Sequence, residues 1–327
     1  MAYIDPYFIA LNDGGNAAHI HVINKTGNLV NTIEVNNATN IDWEAICINN
    51  QGDLYIGDIG NNDNIRQDLK IYVIKNFKDS LQNSSVQVSY KIDFSYAAQN
   101  VFPPANDKKH FDAEAMIMIK DSLFIFSKNR SNPYNGYTYV YGLKDTVIMQ
   151  NATIIDSFFA GNGPKELSWV TDAFFDQKDL YLLSHSYVWQ CKDYLIRGFA
   201  NSEKLILDTY TQKEACVFVP PNFWVADEKN SLVGGGNLYA YPIISNNNSI
   251  TFFERNKDYL LSQNQLEIIN ESMHYITIFD LQGKQLLAIS LTQNRKIDLS
   301  PFANQVILIY FNNVISSVAE KVFINPK

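Results

Sequence analysis

The chain has 327 residues, 46% of them hydrophobic and 18% charged, enough for one large domain or two unequal ones. Its 34 Asp+Glu outweigh 26 Lys+Arg for a formal charge of -8, and no long basic run occurs, which excludes a nucleic-acid partner held by phosphate neutralisation. Three cysteines, Cys47, Cys191 and Cys216, exclude a disulfide-stapled scaffold and a zinc site of four thiolates. No apolar run is long enough to predict a transmembrane helix. The opening MAYIDPYFIALNDGG lacks the basic start and apolar core of a signal peptide, which taken alone predicts a cytoplasmic chain.

With 19 Tyr, 20 Phe and 37 Asn, the composition suits aromatic strands joined by Asn-rich turns. In chain order the expected strands are YFIAL at 7–11, HIHVIN at 19–24, LVNTIEV at 29–35, EAICIN at 44–49, DLYIGD at 53–58 and KIYVIK at 70–75. Next come VQVSYKIDF at 86–94, EAMIMI at 114–119, SLFIFSK at 122–128, YTYVYGL at 137–143 and ATIIDSFF at 152–159. WVTDAFF at 169–175, DLYLLSH at 179–185, DYLIRGF at 193–199, ACVFV at 215–219, FWVADE at 223–228 and NLYAYPI at 237–243 complete the series.

Their order repeats. An acidic residue followed by alanine opens a strand, a tight turn leads to a second strand, and an aromatic-rich third strand follows a polar loop. The acidic residues are Glu44, Glu114, Asp172 and Glu214. A sheet unit repeated at such intervals predicts a five- or six-bladed β-propeller over residues 1–256. Residues 7–35 read as a unit lacking its inner strand, with SITFFERN at 249–256 expected to supply it. A pair of β-sandwiches is the alternative. From 257 to 327 the short strands QLEIIN, YITIFD, QLLAISL, KIDLS, QVILIYF and AEKVFIN predict a separate small Greek-key β-sandwich, so the fold class is all-β throughout.

That last segment resembles the C-terminal sorting domain of the Bacteroidetes type IX secretion system. The matching parts are the strand ending at Asp280, the Gly283-Lys284 turn, IDLS at 297–300 and the closing strand with Lys321. It departs in having no Pro-Asn-Pro before Leu266, and Asn304-Gln305 where a glycine is common. The resemblance implies the type IX machinery as a partner of residues 257–327, and moves the expected localisation from the cytoplasm to secretion or the outer cell surface. The N-terminal part resembles an uncharacterised family of secreted Bacteroidetes β-propellers, through NDGGN at 12–16, DWEAI at 42–46, LYIGDIGNN at 54–62, Arg66, IYVI at 71–74, DAEAM at 112–116 and SKNR at 127–130. Calcium-dependent phytase-like and esterase-like propellers are wider kin, from which no reaction is carried across.

If the acidic-alanine positions open the innermost strands, Glu44, Glu114, Asp172 and Glu214 gather at one mouth of the channel. Converging carboxylates repel unless a cation compensates, which points to calcium or magnesium there. The competing reading has each carboxylate accept backbone N–H bonds from a neighbouring blade. Asp58 and Glu228 end second strands in equivalent positions, Asp112 opens DAEAM, His110 precedes it near the expected channel mouth, and Arg66 and Arg130 follow second strands, where they face an anionic ligand or pair with the acids. DIGNNDN at 58–64 is rich in side-chain oxygens but also suits Asx turns. His185 is the acid–base candidate, and no residue is assigned as catalytic. His19 and His21 share a strand face and read as solvated. Trp43, Trp169, Trp189 and Trp224 either stack on a surface glycan or pack between blades. No nucleophile elbow, zinc-protease motif or P-loop occurs, and the Gly234–Gly236 run lacks a following Lys-Ser/Thr. Two functions follow as expectations: a surface propeller binding a small polar ligand or divalent cation, or a metal-assisted hydrolase of a phosphate or carboxylate ester.

Overall fold

The computed structural model describes residues 1–207, 211–229, 235–246, 249–252, 259–262, 264–268, 275–280, 284–291, 295–303, 305–312 and 317–323. Gly283, Asn304, Gly234 and the 253–256 end of SITFFERN lie outside the described residues. The chain divides into two units, Met1–Tyr241 and Pro242–Lys327, a boundary earlier than the one expected at 256.

The first unit is a β-propeller. Its first sheet holds β1 (Ala2–Ile4), β2 (Tyr7–Leu11), β3 (His19–Ile23) and β4 (Leu29–Asn36). The second is built from β5 (Trp43–Ile48), β6 (Leu54–Asp58), β7 (Lys70–Ile74) and, after the short β8 (Ser85–Gln87), β9 (Tyr90–Tyr96). The third, joined to the second through β13 and β9 in one eight-stranded sheet, has β10 (Ala113–Ile119), β11 (Ser122–Ser127), β12 (Tyr137–Lys144) and β13 (Gln150–Phe159). The fourth has β14 (Asp172–Phe175), β15 (Leu180–Leu183), β16 (Tyr187–Cys191) and β17 (Ser202–Ile206). The last begins with β18 (Lys213–Val219), β19 (Asn222–Asp227) and β20 (Leu238–Asn246), a strand that runs past the unit boundary. The inner strands β1, β5, β10, β14 and β18 neighbour one another in a closed circuit.

The period-2 alternation of each strand feeds two cores. On β6, Leu54 and Ile56 join the core shared with the first sheet, while Tyr55 joins the core shared with the third. On β11, Leu123 and Ile125 face one neighbour and Phe126 the other. Strands buried on both faces therefore read as continuous apolar runs, as β10 does. Outer edges are covered by parallel pairing: β8 lies along β4, and β9 along β13.

Two expectations are corrected. The inner strand of the first sheet is Ala2–Ile4, paired with Tyr7–Ile9, whereas Ser249–Phe252 (β21) pairs with the end of β20. DYLIRGF is not a strand: Asp193 takes a left-handed conformation (φ 54°), Tyr194–Arg197 form one helical turn, and Tyr187–Cys191 pair with β15 instead. The turn sits after a strand that its own apolar residues already complete.

The second unit contains β22 (Tyr259–Ser262), β23 (Gln265–Ile268) and β26 (Lys296–Asp298) in one sheet. The other is β25-β24-β27-β28, made of β24 (Tyr275–Phe279), β25 (Gln285–Ser290), β27 (Val306–Asn312) and β28 (Ser317–Phe323). Leu266, Ile268 and Ile297 of the first sheet share a core with Ile276, Ile278, Ile307 and Ile309 of the second, a small β-sandwich. Asp280 and Lys284 close the β24–β25 turn by exchanging two hydrogen bonds of 2.8–2.9 Å. No described helix is long and apolar enough to cross a membrane.

Candidate ligand site at the polar end of the channel

Three inner strands carry a β-bulge at the same place. The register slips between Trp43 and Ala45, between Ala113 and Ala115, and between Lys213 and Ala215. The unpaired residues are Glu44, Glu114 and Glu214, and a bulge re-aims the side chain it carries. Each is followed by alanine, the small residue that the crowded inner circuit accommodates. All three glutamates line one cavity of about 560 Å³ together with Asp13, Lys128, Arg130, Trp169, His185 and Glu228.

Strand β14 has no bulge. Asp172 stays in register with Leu183, and its buried carboxylate accepts hydrogen bonds from Cys216 N at 2.7 Å, Ala173 N at 2.8 Å and the amino terminus at 3.2 Å. It ties two blades together and does not line the cavity. Asp112 is likewise committed: Oδ1 accepts from Asn61 N at 2.7 Å and Oδ2 from Arg130 Nε at 2.7 Å. Asp58 receives Arg66 Nη2 at 2.9 Å and Asp42 N at 3.0 Å. Arg66 also donates to Gly60 O and Asp68, and it does not line the cavity. In DIGNNDN, Asn61 Oδ1 accepts from the backbone of Ile65 and Arg66, as a turn residue does.

Of the cations lining the cavity, Lys128, Arg130 and Lys229, the first two are engaged. Lys128 Nζ donates to Glu114 Oε1, and Arg130 holds Asp112 and Asn62. Both stand over the Trp169 ring, with the Arg130 guanidinium 4.7 Å from its centroid. The other three indoles also contact protein groups: Trp43 lies 5.9 Å from Tyr72, Trp189 packs edge-on to Phe158, and Trp224 lies 4.9 Å from Phe8. His21 Nδ1 lies 3.3 Å from Thr32 Oγ1, away from the cavity.

Carboxylates left over dominate the electrostatics. Glu114 is buried and its Oε2 has no hydrogen-bond partner. Burial, then the neighbouring charge of Glu114, pushes Glu44 well above the ordinary carboxylate range. Glu114 itself is pushed up to about 8 by burial, against the opposing pull of Lys128. Glu214 is raised to about 7 by burial, again opposed by Lys128. His185 Nε2 lies 3.2 Å from Glu214 Oε1, yet burial and then Lys128 lower its imidazole to about 4, so it is neutral near pH 7.

Two residues not singled out from the sequence complete the acidic side. One carboxylate oxygen from each of Asp13, Asp42 and Glu44 lies within 4.8 Å of the others. Like charges at that separation repel by about 1 kcal/mol per pair in bulk water and about 3–4 kcal/mol at a typical protein-surface dielectric. Burial first, and Asp13 next, raise Asp42 to about 6. The only sequence signal for this pair is its place in the NDGGN and DWEAI segments.

No family model matches the chain, and no curated protein matches it. Solved structures do. PorZ, a surface component of the type IX secretion system of Porphyromonas gingivalis, aligns at 10% identity and TM-score 0.31 over 95% of this chain and 50% of its own. The WD40 propeller domain of Doa1 aligns at 10% identity and TM-score 0.31, covering 97% of this chain and 90% of its own. An extracellular domain of BT4673 from B. thetaiotaomicron aligns at 11% identity and TM-score 0.30, covering 94% and 48%. The chain thus spans about half the length of PorZ. Similarities this low bear no conclusion about function.

Proposed function

We propose that this chain is a secreted or cell-surface propeller that binds a small polar ligand or a divalent cation at the polar end of its channel. The supporting observation is the trio of bulged glutamates turned into one cavity in which carboxyl groups outnumber the cations Lys128, Arg130 and Lys229, the first two of which are already paired. Such a cavity favours a cationic ligand, calcium or magnesium among them. Calorimetric titration with calcium, beside a Glu44→Ala/Glu114→Ala double variant, tests the reading. Heat of binding that the double variant loses supports it; equal heats, or a folded protein with no heat for calcium, magnesium or small ammonium compounds, would refute it.

His185 beside Glu214 favours a second reading, a metal-assisted hydrolase of a phosphate or carboxylate ester. A neutral imidazole in the cavity is competent to accept a proton from water activated by a cation. Calcium-dependent ester hydrolysis abolished by His185→Gln would support this reading, and binding without turnover would leave the protein a binding module. Export is proposed to run through residues 257–327, on the sorting-domain resemblance.

A further inference from the structure

We propose that the opposite end of the channel is a second binding site, for a neutral aromatic molecule of two to three rings that carries a hydrogen-bonding group. Strands β5, β10 and β18 each begin beside the polar cavity and end beside another, of about 410 Å³, which β1 and β14 also reach through Ala2 and Ala173. The lining has changed character along those strands. Ile46, Ile117, Met118, Phe174, Phe175 and Phe218 stand there in place of the glutamates. The site is separate from the polar one and does not depend on its reading.

Size and charge define the ligand. An apolar cavity of about 150 Å³ takes benzene, and apolar-lined cavities of about 300–1,000 Å³ are the ordinary size of small-molecule sites. Phe174 and Phe218 are half-buried, come from neighbouring blades and have their ring centroids 6.4 and 6.2 Å from Tyr181. A ligand ring added to that group gains aromatic contacts beyond burial, and the Met118 thioether suits the same partner. No Lys or Arg is among the lining residues, and the Met1 amino group is held by Asp172. The one lining carboxylate, Asp176, already accepts from Lys178 N, Asp179 N and the Tyr181 hydroxyl. A charged ligand would lose hydration here without gaining a counter-charge; a neutral one would not.

The rim supplies the polar contact. Gln177 Nε2 donates to Asn50 Oδ1 at 3.4 Å, a long bond between the β14–β15 and β5–β6 turns, two blades apart. Both side chains are exposed and line the cavity, and each amide has donor and acceptor capacity beyond that bond. Asn49, by contrast, is spent on Asp53 and Tyr55. Gln177 also has φ 79°, a left-handed position that turns ordinarily give to glycine or asparagine. A glutamine there costs conformational energy and sets an amide at the mouth of the cavity.

The neutral dye N-phenyl-1-naphthylamine is titrated by fluorescence into the full chain and into Gln177→Gly, Phe218→Asp and Ile148→Ser variants, with thermal melts to confirm folding. Its anionic analogue 8-anilinonaphthalene-1-sulfonate is titrated in parallel. Ile148 is 69% exposed on the β12–β13 loop and controls for dye held by surface apolar groups. The expected result is saturable binding of the neutral dye, weakened about threefold by Gln177→Gly and about tenfold by Phe218→Asp, unchanged by Ile148→Ser, and about tenfold tighter than the anionic dye. Gln177→Gly relieves the left-handed position and should melt no lower than the parent, so it keeps the test valid if Phe218→Asp does not fold. Affinity unaltered by either variant in folded form would overturn the assignment, as would loss of binding in Ile148→Ser. Equal or tighter binding of the anionic dye would overturn the neutral class, and no saturable binding would overturn the site, with the polar-end reading untouched.

Discussion

Residues of the same type divide here by what their oxygens already hold. Asp112 accepts from Asn61 and Arg130 while fully buried, so Asp112→Ala leaves the Asn61 N–H unpaired and takes the carboxylate from Arg130, which keeps only Asn62 and Glu114 beside it. A loss of about 3–5 kcal/mol in chemical denaturation is expected. Glu34→Gln should stay within about 0.5 kcal/mol of the parent. His185 gives a pH prediction. Its native imidazole titrates near 4 against an ordinary value of 6.5, so between those values the unfolded chain binds more protons. Its contribution destabilises as pH falls from about 6.5 to about 4. His185→Gln should remove on the order of 3 kcal/mol of the stability lost across that pH window. An unchanged acid limb would show that the imidazole is hydrated in the native state. At this scale the sequence was legible for Glu44, Glu114 and Glu214, because an acidic residue before alanine marks each bulge. Asp172 has the same signature without the bulge, and a two-residue pattern does not report strand register. Asp13 and Asp42 were legible only as parts of motifs, since their convergence depends on a loop from one blade meeting the strand of the next.

The bulged inner strand is the element that brings Glu44, Glu114 and Glu214 to one cavity. Ala45, Ala113, Ala115 and Ala173 are all buried where the inner strands converge. Ala115→Leu inserts a large side chain into that circuit and should cost about 1–3 kcal/mol in denaturant midpoint-derived stability. The same substitution would be nearly neutral if the strands were loosely packed. Strand existence was readable because alternating faces feed two inter-blade cores, as on β6 and β11. Ala2–Ile4 escaped notice because three residues carry no detectable period. DYLIRGF misled because apolar composition without a partner strand does not make a strand.

For the whole molecule, the change of texture after the last aromatic repeat falls near residue 256, whereas the chain divides into its two units after Tyr241. A boundary inside β20 has no compositional mark, because one strand crosses it. Deleting residues 257–327 is expected to hold the protein inside the cell, read by fractionation; undiminished export would refute the sorting role. The central claim is that the carboxylates at the polar end of the channel exist to hold a cation. Anomalous diffraction from crystals grown with calcium tests it most directly. The account predicts a peak in the cavity lined by Glu44, Glu114 and Glu214, with oxygen distances of about 2.3–2.6 Å. A well-ordered cavity without that peak, its carboxylates bridged only by waters and protein groups at millimolar calcium, would contradict it.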